Sequence, residues 1–342
     1  MTRRILAVRQ DNNGDVTLLG PALRALARSG EVILACAPSG EGAARLLPDV
    51  ADVVVTRAEW IAADPRPVDP AAIAADVERY RAVRAHEAIV FTSFHQSPLP
   101  TALLLRLAGV ARIAAISVDY PGSLLDVRVR VDDDIHEVER SLALVRAAGH
   151  APAPHDDGRL RYRDAGPRHP SARPPYVAIQ PGSTAPARAW DPAKLRALAA
   201  DLHARGYGVV VLGSAQEAPL CAGVAGDDAL DLAGRTTYAQ FVATIRDADA
   251  LVVGNSSGIH IASATGTPVV SIFAPTIAPV RFAPWRVCSV VLGDHTIACA
   301  GCRARVCPLA GQPCTGAVGV ADVVSALQHL GIRQRSKQEV VV

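Results

Sequence analysis

Aromatic side chains make up only 4% of the 342 residues. Single strands of nucleic acid are bound on stacking platforms of aromatic residues, so this scarcity argues against that partner. Charge of one sign is also missing: 35 basic residues face 33 acidic ones, for a formal net charge of +2. A nucleic-acid-binding surface needs a clear basic excess, and the balance here gives none. Long apolar runs are absent as well. The most apolar stretch, TALLLRLAGVARIAAI at 101–116, is broken by Arg106 and Arg112. It is too short and too charged to span a bilayer. The beginning, MTRRILAVRQD, has an apolar run of only four residues, Ile5–Val8, far shorter than a secretory leader requires. These absences lead us to expect a cytoplasmic protein with no transmembrane segment and at most a peripheral place at the inner membrane face. Seven cysteines suit such a compartment if the thiols are free or bind metal.

What is present is apolar and periodic. Half of the residues are hydrophobic, and the length favours two domains over one. Short β-type runs alternate with helical patterns. Strands are expected at 3–8, 31–36, 52–56, 88–92 and 112–117, with helices at 16–30, 70–87 and 98–109. The runs lack polar alternation, which suits parallel strands covered on both faces. The stretch 151–175 is rich in Pro, Gly and charge and reads as a linker. The alternation then restarts, with strands at 176–182, 209–213, 229–232, 250–254 and 268–273. The expected architecture is α/β, with two Rossmann-like domains at 1–165 and 176–332 and a frayed tail at 333–342. Ligands of open α/β sheets bind outside the carboxyl ends of the strands, so polar clusters there are the places to look.

The first cluster is RQDNNGDV at 9–16. Gly14 permits a tight turn, and Asp15 can cap the next helix. The pattern is not GxGxxG, and Asp11 with Asp15 would repel a phosphate. An acid at such a strand end is better suited to holding or deprotonating a hydroxyl. The second cluster is QPGSTAPARAW at 180–190, where small donors Ser183 and Thr184 precede Arg188, a set that suits a diphosphate. The third is GNSSGIH at 254–260. Asn255, Ser256, Ser257 and Gly258 lie between a strand and a helix, where backbone N–H groups bind anions, with His260 close by. The fourth is CAGCRARVCPLAGQPC. Its cysteines, Cys299, Cys302, Cys307 and Cys314, could close a tetrahedral zinc site; free or redox-sensitive thiols are the alternative. Ser93, His95 and Gln96 in FTSFHQ, and Asp119 in SVDYPG, sit at further strand ends. The acid run Asp132, Asp133 and Asp134 reads as solvated surface, and no DxD pair stands out as a metal clamp.

Taken in order, these pieces resemble glycosyltransferase family 9, the ADP-heptose:lipopolysaccharide heptosyltransferases. The likeness rests on RQDNNGDVTLLGPALRAL, HEVERSLALVRAAG, the QPGST…ARAW loop, LGSAQE, LAGRTTYAQF, GNSSGIHIASATGTPVVSIFAPT and the late cysteine cluster. It runs over about residues 1 to 330. The resemblance implies a GT-B fold, two Rossmann-like domains facing across a cleft. The first would bind the acceptor and the second the nucleotide-sugar. It also implies an inverting, metal-independent glycosyltransferase that moves a heptose or related sugar from an ADP-sugar to a hydroxyl.

By the same resemblance Asp15 is the general base. Ser183, Thr184, Arg188, Glu217, Asn255, Ser256, Ser257, Gly258 and His260 hold the donor, ADP-heptose, with Glu217 near the ribose. Asn13, Gly14, Ser93, His95, Gln96 and Asp119 line the acceptor side. Two departures stand out: Asn255 replaces the family's common Asp, and Ser257 its common Gly. The acceptor is expected to be a glycan, a lipid-linked sugar or a small molecule, and no cofactor beyond the donor is required. A GT-B nucleotide-sugar epimerase and a catalytically silent nucleotide-sugar-binding protein are the competing readings.

Overall fold

The computed structural model describes residues 3–62, 64–132 and 134–332. Asp133 of the acid run and the expected tail at 333–342 lie outside the described residues. The chain divides between Arg163 and Asp164 into two compact units.

In the first unit the strands are β1 (Arg4–Arg9), β2 (Glu31–Cys36), β3 (Asp52–Val55), β4 (Glu87–Val90), β5 (Arg112–Ile116) and β6 (Val127–Val129). Its helices are α1 (Asn13–Thr17), α2 (Gly20–Ala27), α3 (Glu41–Leu46), α4 (Pro70–Val83), α5 (Leu99–Leu107) and α6 (Glu137–Ala147). The second unit carries β7 (Tyr176–Gln180), β8 (Gly208–Val211), β9 (Leu230–Asp231), β10 (Ala250–Gly254), β11 (Val269–Ile272) and β12 (Ser289–Leu292). Its helices are α7 (Pro192–Ala204), α8 (Ala218–Ala225), α9 (Tyr238–Arg246), α10 (Gly258–Thr265), α11 (Pro279–Phe282), α12 (Pro313–Gly316) and α13 (Val320–His329).

Both sheets have six strands, in the orders β3-β2-β1-β4-β5-β6 and β12-β11-β10-β7-β8-β9. Every strand pair is parallel. The two orders are the same doubly wound arrangement traced twice. Each reverses direction beside its first strand, between β1 and β4 and between β7 and β10. That switch point is where an open α/β sheet leaves a crevice at the carboxyl ends of its strands. The central strands are buried almost throughout, as continuous apolar runs covered by helices must be.

Three local features depart from the sequence expectation. The helix expected at 16–30 is two helices, because Pro21 cannot donate to, and clashes with, the carbonyl one turn earlier. The chain therefore bends at Leu18–Leu19. Two strands were not expected, β6 and β12, and both lie at a sheet edge with half-buried residues. The stretch 151–175 is strapped down rather than free. Asp156 accepts two hydrogen bonds from Arg24, and Arg163 donates to the Leu47 and Val50 carbonyls. Beyond the division, Arg168 pairs with Asp247, and Arg246 with Asp164.

The amino edge of the first sheet is tied by one buried acid. Glu87 opens β4 at 1% exposure and meets Arg3, Arg112 and His150. His150 in turn shares a hydrogen bond with Ser29. Burial works against the Glu87 charge, but the His150, Arg3 and Arg112 partners outweigh it and hold the carboxyl below the ordinary glutamate value. A folded-state value below the unfolded one means stability present above the usual glutamate range and lost as the pH falls. Glu87→Gln is expected to cost about 3 kcal/mol in urea unfolding at pH 7, the low end for breaking a buried pair because both arginines stay half-exposed. The gap between the two proteins should narrow below about pH 4.5; a gap independent of pH would show that the charge is not what matters.

Candidate active site

The carboxyl edge of the first sheet holds a fully buried guanidinium. Arg9 is the last residue of β1 and only 2% exposed. Its Nε lies 2.6 Å from Asp11 Oδ2, and its Nη2 donates to Asp15 Oδ1 at 3.1 Å and to Ser93 Oγ at 2.8 Å. Its Nη1 lies 3.5 Å from Glu137 Oε2. Gln96 closes the group: its Nε2 donates to Asp11 Oδ1 at 2.6 Å, and its Oε1 accepts from the Ser93 amide at 2.9 Å. The cluster joins the loops after β1 and β4 across the switch point.

Local sequence explains how Asp15 reaches this cluster. The cap of α1 is Asn12, whose Oδ1 accepts from the Gly14 amide at 2.9 Å. The capping role considered for Asp15 is thus filled by another residue, and Gly14 is an ordinary helical residue rather than a tight turn. Asp15 sits in the first turn of α1, where the helix dipole favours its charge. Opposing effects fix its proton affinity. Burial raises it, the Asp11 and Glu137 carboxylates raise it further, and Arg9 lowers it. The net result pushes the Asp15 carboxyl up to about 7. The Asp15 side chain keeps 15% of its surface exposed, and a carboxyl poised near neutrality is matched to proton transfer at physiological pH.

The remaining first-unit candidates are distributed unevenly. Ser93 and Gln96 belong to the internal network just described. Asn13 Oδ1 accepts from the Ala43 amide at 2.8 Å, so its side chain fastens α1 to α3. His95 is exposed and edges onto the Phe94 ring at 5.0 Å. Asp119 is exposed on the loop after β5, and its carbonyl accepts from Ser117 Oγ.

In the second unit the same sheet edge carries small hydroxyl residues and Arg188 instead. The loop after β7 passes through Gly182, Ser183 and Thr184 to a short helical turn, Pro186–Arg188. That turn packs against the end of β10: the Asn255 amide donates to the Arg188 carbonyl at 3.3 Å. A side chain at Gly254 would come within 2.7 Å of that carbonyl, so the approach requires glycine. Ser183 Oγ donates to the Asn255 carbonyl at 3.4 Å, and Arg188 Nε to Thr276 Oγ1 at 3.3 Å. Gly258 and His260 lie in the first turn of α10, whose amino end points to this loop's strand edge. His260 is 6% exposed and lies beside Phe282. Ser257 precedes the helix as its half-buried cap residue, and Thr184 is exposed.

Three buried atoms here, Gln180 Oε1, Asn255 Nδ2 and Ser256 Oγ, have no hydrogen-bond partner among the described residues. Buried polar groups are nearly always paired, so such a set at one sheet edge marks a place for a polar ligand. Glu217 accepts from the Ser214 amide and hydroxyl at 2.7 and 2.8 Å and closes a capping box before α8. Its carboxyl also lies against Gly182, where any side chain would strike it.

The cysteine-rich segment has a role that spacing did not reveal. Among the described residues no group of three or more His, Cys, Asp or Glu side chains is arranged to hold a metal ion. Cys299, Cys302, Cys307 and Cys314 therefore do not form the zinc site that their spacing allowed. All seven cysteines are free thiols; burial and the three neighbouring thiols raise Cys314. The segment's backbone does the structural work. The Arg305 carbonyl accepts from the Ala187 amide, and Gln312 Nε2 donates to the Ala187 and Ala189 carbonyls at 2.9 and 3.2 Å. These bonds bracket Arg188 from both sides. The Gly301 and Arg303 amides donate to the Pro275 and Thr276 carbonyls. Sequence reasoning missed Gln312, Arg9 and Glu137. Only Arg9 left a trace, as a charge in the last position of an apolar strand run.

The sequence model of glycosyltransferase family 9 (heptosyltransferase) matches residues 66–312. Lipopolysaccharide heptosyltransferase 3 of Escherichia coli is 34% identical over 116 residues, which is 32% of this chain and 34% of that protein. The chain thus matches about a third of the length of this curated relative. Solved structures share the fold over nearly full length. The glycosyl transferase family 9 protein from Veillonella parvula has a TM-score of 0.76 at 14% identity, covering 96% of this chain and 97% of its own. The E. coli ADP-heptose lps heptosyltransferase II has a TM-score of 0.72 at 19% identity, with 96% and 98% covered. Two six-stranded parallel sheets of one topology, likeness to GT-B heptosyltransferases, and a family match over more than half its length together mean that the chain belongs to glycosyltransferase family 9, the heptosyltransferases.

Proposed function

We propose that this chain is an inverting glycosyltransferase that moves a heptose from ADP-heptose to an acceptor hydroxyl. The observation that carries the proposal is Asp15, partly exposed at a topological switch point, held by Arg9 Nη2 and with its carboxyl pushed up to about 7. In this reading the acceptor oxygen attacks the anomeric carbon as its proton passes to Asp15 Oδ. The bond from that carbon to the diphosphate oxygen breaks, ADP departs with the electron pair, and a single displacement inverts the centre. Arg188, the Ser183 hydroxyl and the N–H groups at the start of α10 would meet the charge that grows on the diphosphate, as preorganised dipoles do. The unpaired Gln180, Asn255 and Ser256 groups would bind the same donor. Asn255 offers an amide donor where the family commonly has an acid, which suits an oxygen acceptor on the donor. We assign acceptor binding to the first unit and donor binding to the second.

His95 and Asp119 are the exposed first-unit candidates left for acceptor contact, and Glu217 beside Gly182 remains our choice for the ribose side. The relatives' names point to a lipopolysaccharide core as the acceptor. No described helix is long and apolar enough to cross a membrane. A peripheral location at the cytoplasmic face fits that substrate.

The test is acceptor-dependent ADP release from ADP-heptose, with a truncated lipopolysaccharide core as acceptor. Asp15→Asn is expected to lower kcat by about 10²–10⁴-fold, the usual contribution of a general base, with ADP affinity nearly unchanged. Full activity of that variant would remove Asp15 from the mechanism. Arg188→Ala should weaken ADP binding about tenfold or more, the loss of a charge-assisted contact; calorimetry reads this directly. Sugar isomerisation without acceptor would favour an epimerase, and donor binding with no turnover a silent binding protein.

A further inference from the structure

We propose that Glu137 is a positioning residue for Asp15: pressed against the far side of Arg9, it divides that cation among three acids and so keeps the Asp15 carboxyl ready to accept a proton. The inference rests on the reading of Asp15 as the general base. Glu137 is the first residue of α6, 1% exposed, and contributed by an element more than a hundred residues from β1. Neither of its carboxylate oxygens makes a hydrogen bond of good geometry among the described residues. Its contact is Arg9 Nη1 at 3.5 Å. A carboxylate buried for stability alone is expected to be fully paired, because desolvating it is costly. This one lies 3.5 Å from Arg9 Nη1, a loose approach for a buried ion pair.

The geometry around Arg9 explains what such an acid does. Nε is taken by Asp11, Nη1 by Glu137, and Nη2 by Asp15 and Ser93. One positive charge thus serves three carboxyls. The groups facing Asp15 come from every neighbouring element: Arg9 from β1, Asp11 from the following loop, Ser93 and Gln96 from the β4–α5 loop, and Glu137 from α6. Burial raises the Glu137 carboxyl above its ordinary value, and Arg9 and Arg140, the latter one turn along α6 with its Nε 3.5 Å from the Thr92 carbonyl, favour its charge. On α3, Glu41 and Arg45 pair with each other. With all three acids ionised the cluster holds excess negative charge in a buried space. A proton arriving at Asp15 relieves that repulsion. If the Glu137 charge is removed, Arg9 turns more fully to Asp15, and the proton is held less tightly.

The experiment titrates Asp15 in the full chain by carbon-13 NMR of labelled aspartate carboxyls, with the resonance assigned through Asp15→Asn. The neutral isostere Glu137→Gln should lower the Asp15 midpoint by about one pH unit, a roughly tenfold loss of proton affinity. The acid limb of the ADP-release profile should move down with it. Glu137→Asp, which keeps the charge, should restore the wild-type midpoint. A merely structural Glu137 would lower the rate at all pH values and leave the midpoint where it was, and that result overturns the proposal. Should Glu137→Gln fail to fold, Asp11→Asn removes another acid from the same cation and is expected to shift the midpoint in the same direction; an unmoved midpoint there overturns it equally. A shifted midpoint with an active Asp15→Asn variant would instead bring down the base assignment, and the role of Glu137 with it.

Discussion

A guanidinium with no access to water must be surrounded by acceptors, and that requirement at Arg9 organises the first unit's sheet edge. Arg9 is fixed by its place at the end of β1, between β2 and β4 at the centre of the sheet. Burying an unpaired charge is prohibitive, so Asp11, Asp15, Ser93 and Glu137 must all come to it. Gln96 then locks Asp11 and the Ser93 backbone together. Three separate segments are thereby held in one arrangement before any substrate arrives. Preorganisation of this kind spares the reaction the cost of ordering its own groups. It also explains why Ser93 and Gln96, polar residues at a strand end, reach toward Arg9 and Asp11.

The second unit has the same strand order but a different set of side chains at its carboxyl edge. Its loop instead brings Arg188 and small hydroxyl residues beside the start of α10, with glycine at 254 permitting the close backbone approach. The Arg188 turn is short and contributes little packing of its own. Its rigidity comes from the cysteine-rich segment, through Arg305 and Gln312. One topology therefore carries an acid cluster around a buried arginine in one unit and small hydroxyl residues beside Arg188 in the other. The difference lies in a few side chains at equivalent strand ends.

How much of this is legible in the sequence depends on how local the determining interaction is. The buried central strands announce themselves as apolar runs, and GNSSGIH and QPGST mark loop-to-helix junctions, because each signal lies within a few residues. Asp15 is legible as an unusual acid, although its neighbour Asn12 supplies the cap that might have explained it away. The edge strands β6 and β12 are not legible because they are short, three and four residues, and β6 carries Arg128 between its two valines. The four late cysteines show a related limit: their spacing brings them near one another, yet among the described residues no group of three or more is arranged to hold a metal ion. Glu137 is invisible from sequence because its partner lies on a distant strand, and an acid at the start of a helix has an ordinary explanation in the dipole.

In the two acid clusters on the first sheet, burial raises the proton affinity of the carboxyl in both, and the neighbouring charges decide whether it stays raised. At the amino edge Glu87 faces Arg3, Arg112 and His150, and its carboxyl is held below the ordinary range despite being buried. At the carboxyl edge three acids share Arg9, with Arg140 acting mainly on Glu137, and the Asp15 carboxyl is pushed up. Arg3 just before β1 and Glu87 at the start of β4 belong to the first cluster, and Arg9 at the end of β1 and Ser93 beyond β4 to the second. The surplus of cations makes one edge an anchor whose charge stabilises the fold at neutral pH. The surplus of acids makes the other edge a place where a proton is welcome, at a cost in stability that the anchored edge offsets. A single sheet can hold both because its strands keep the two clusters at opposite ends, where neither dominates the other's field.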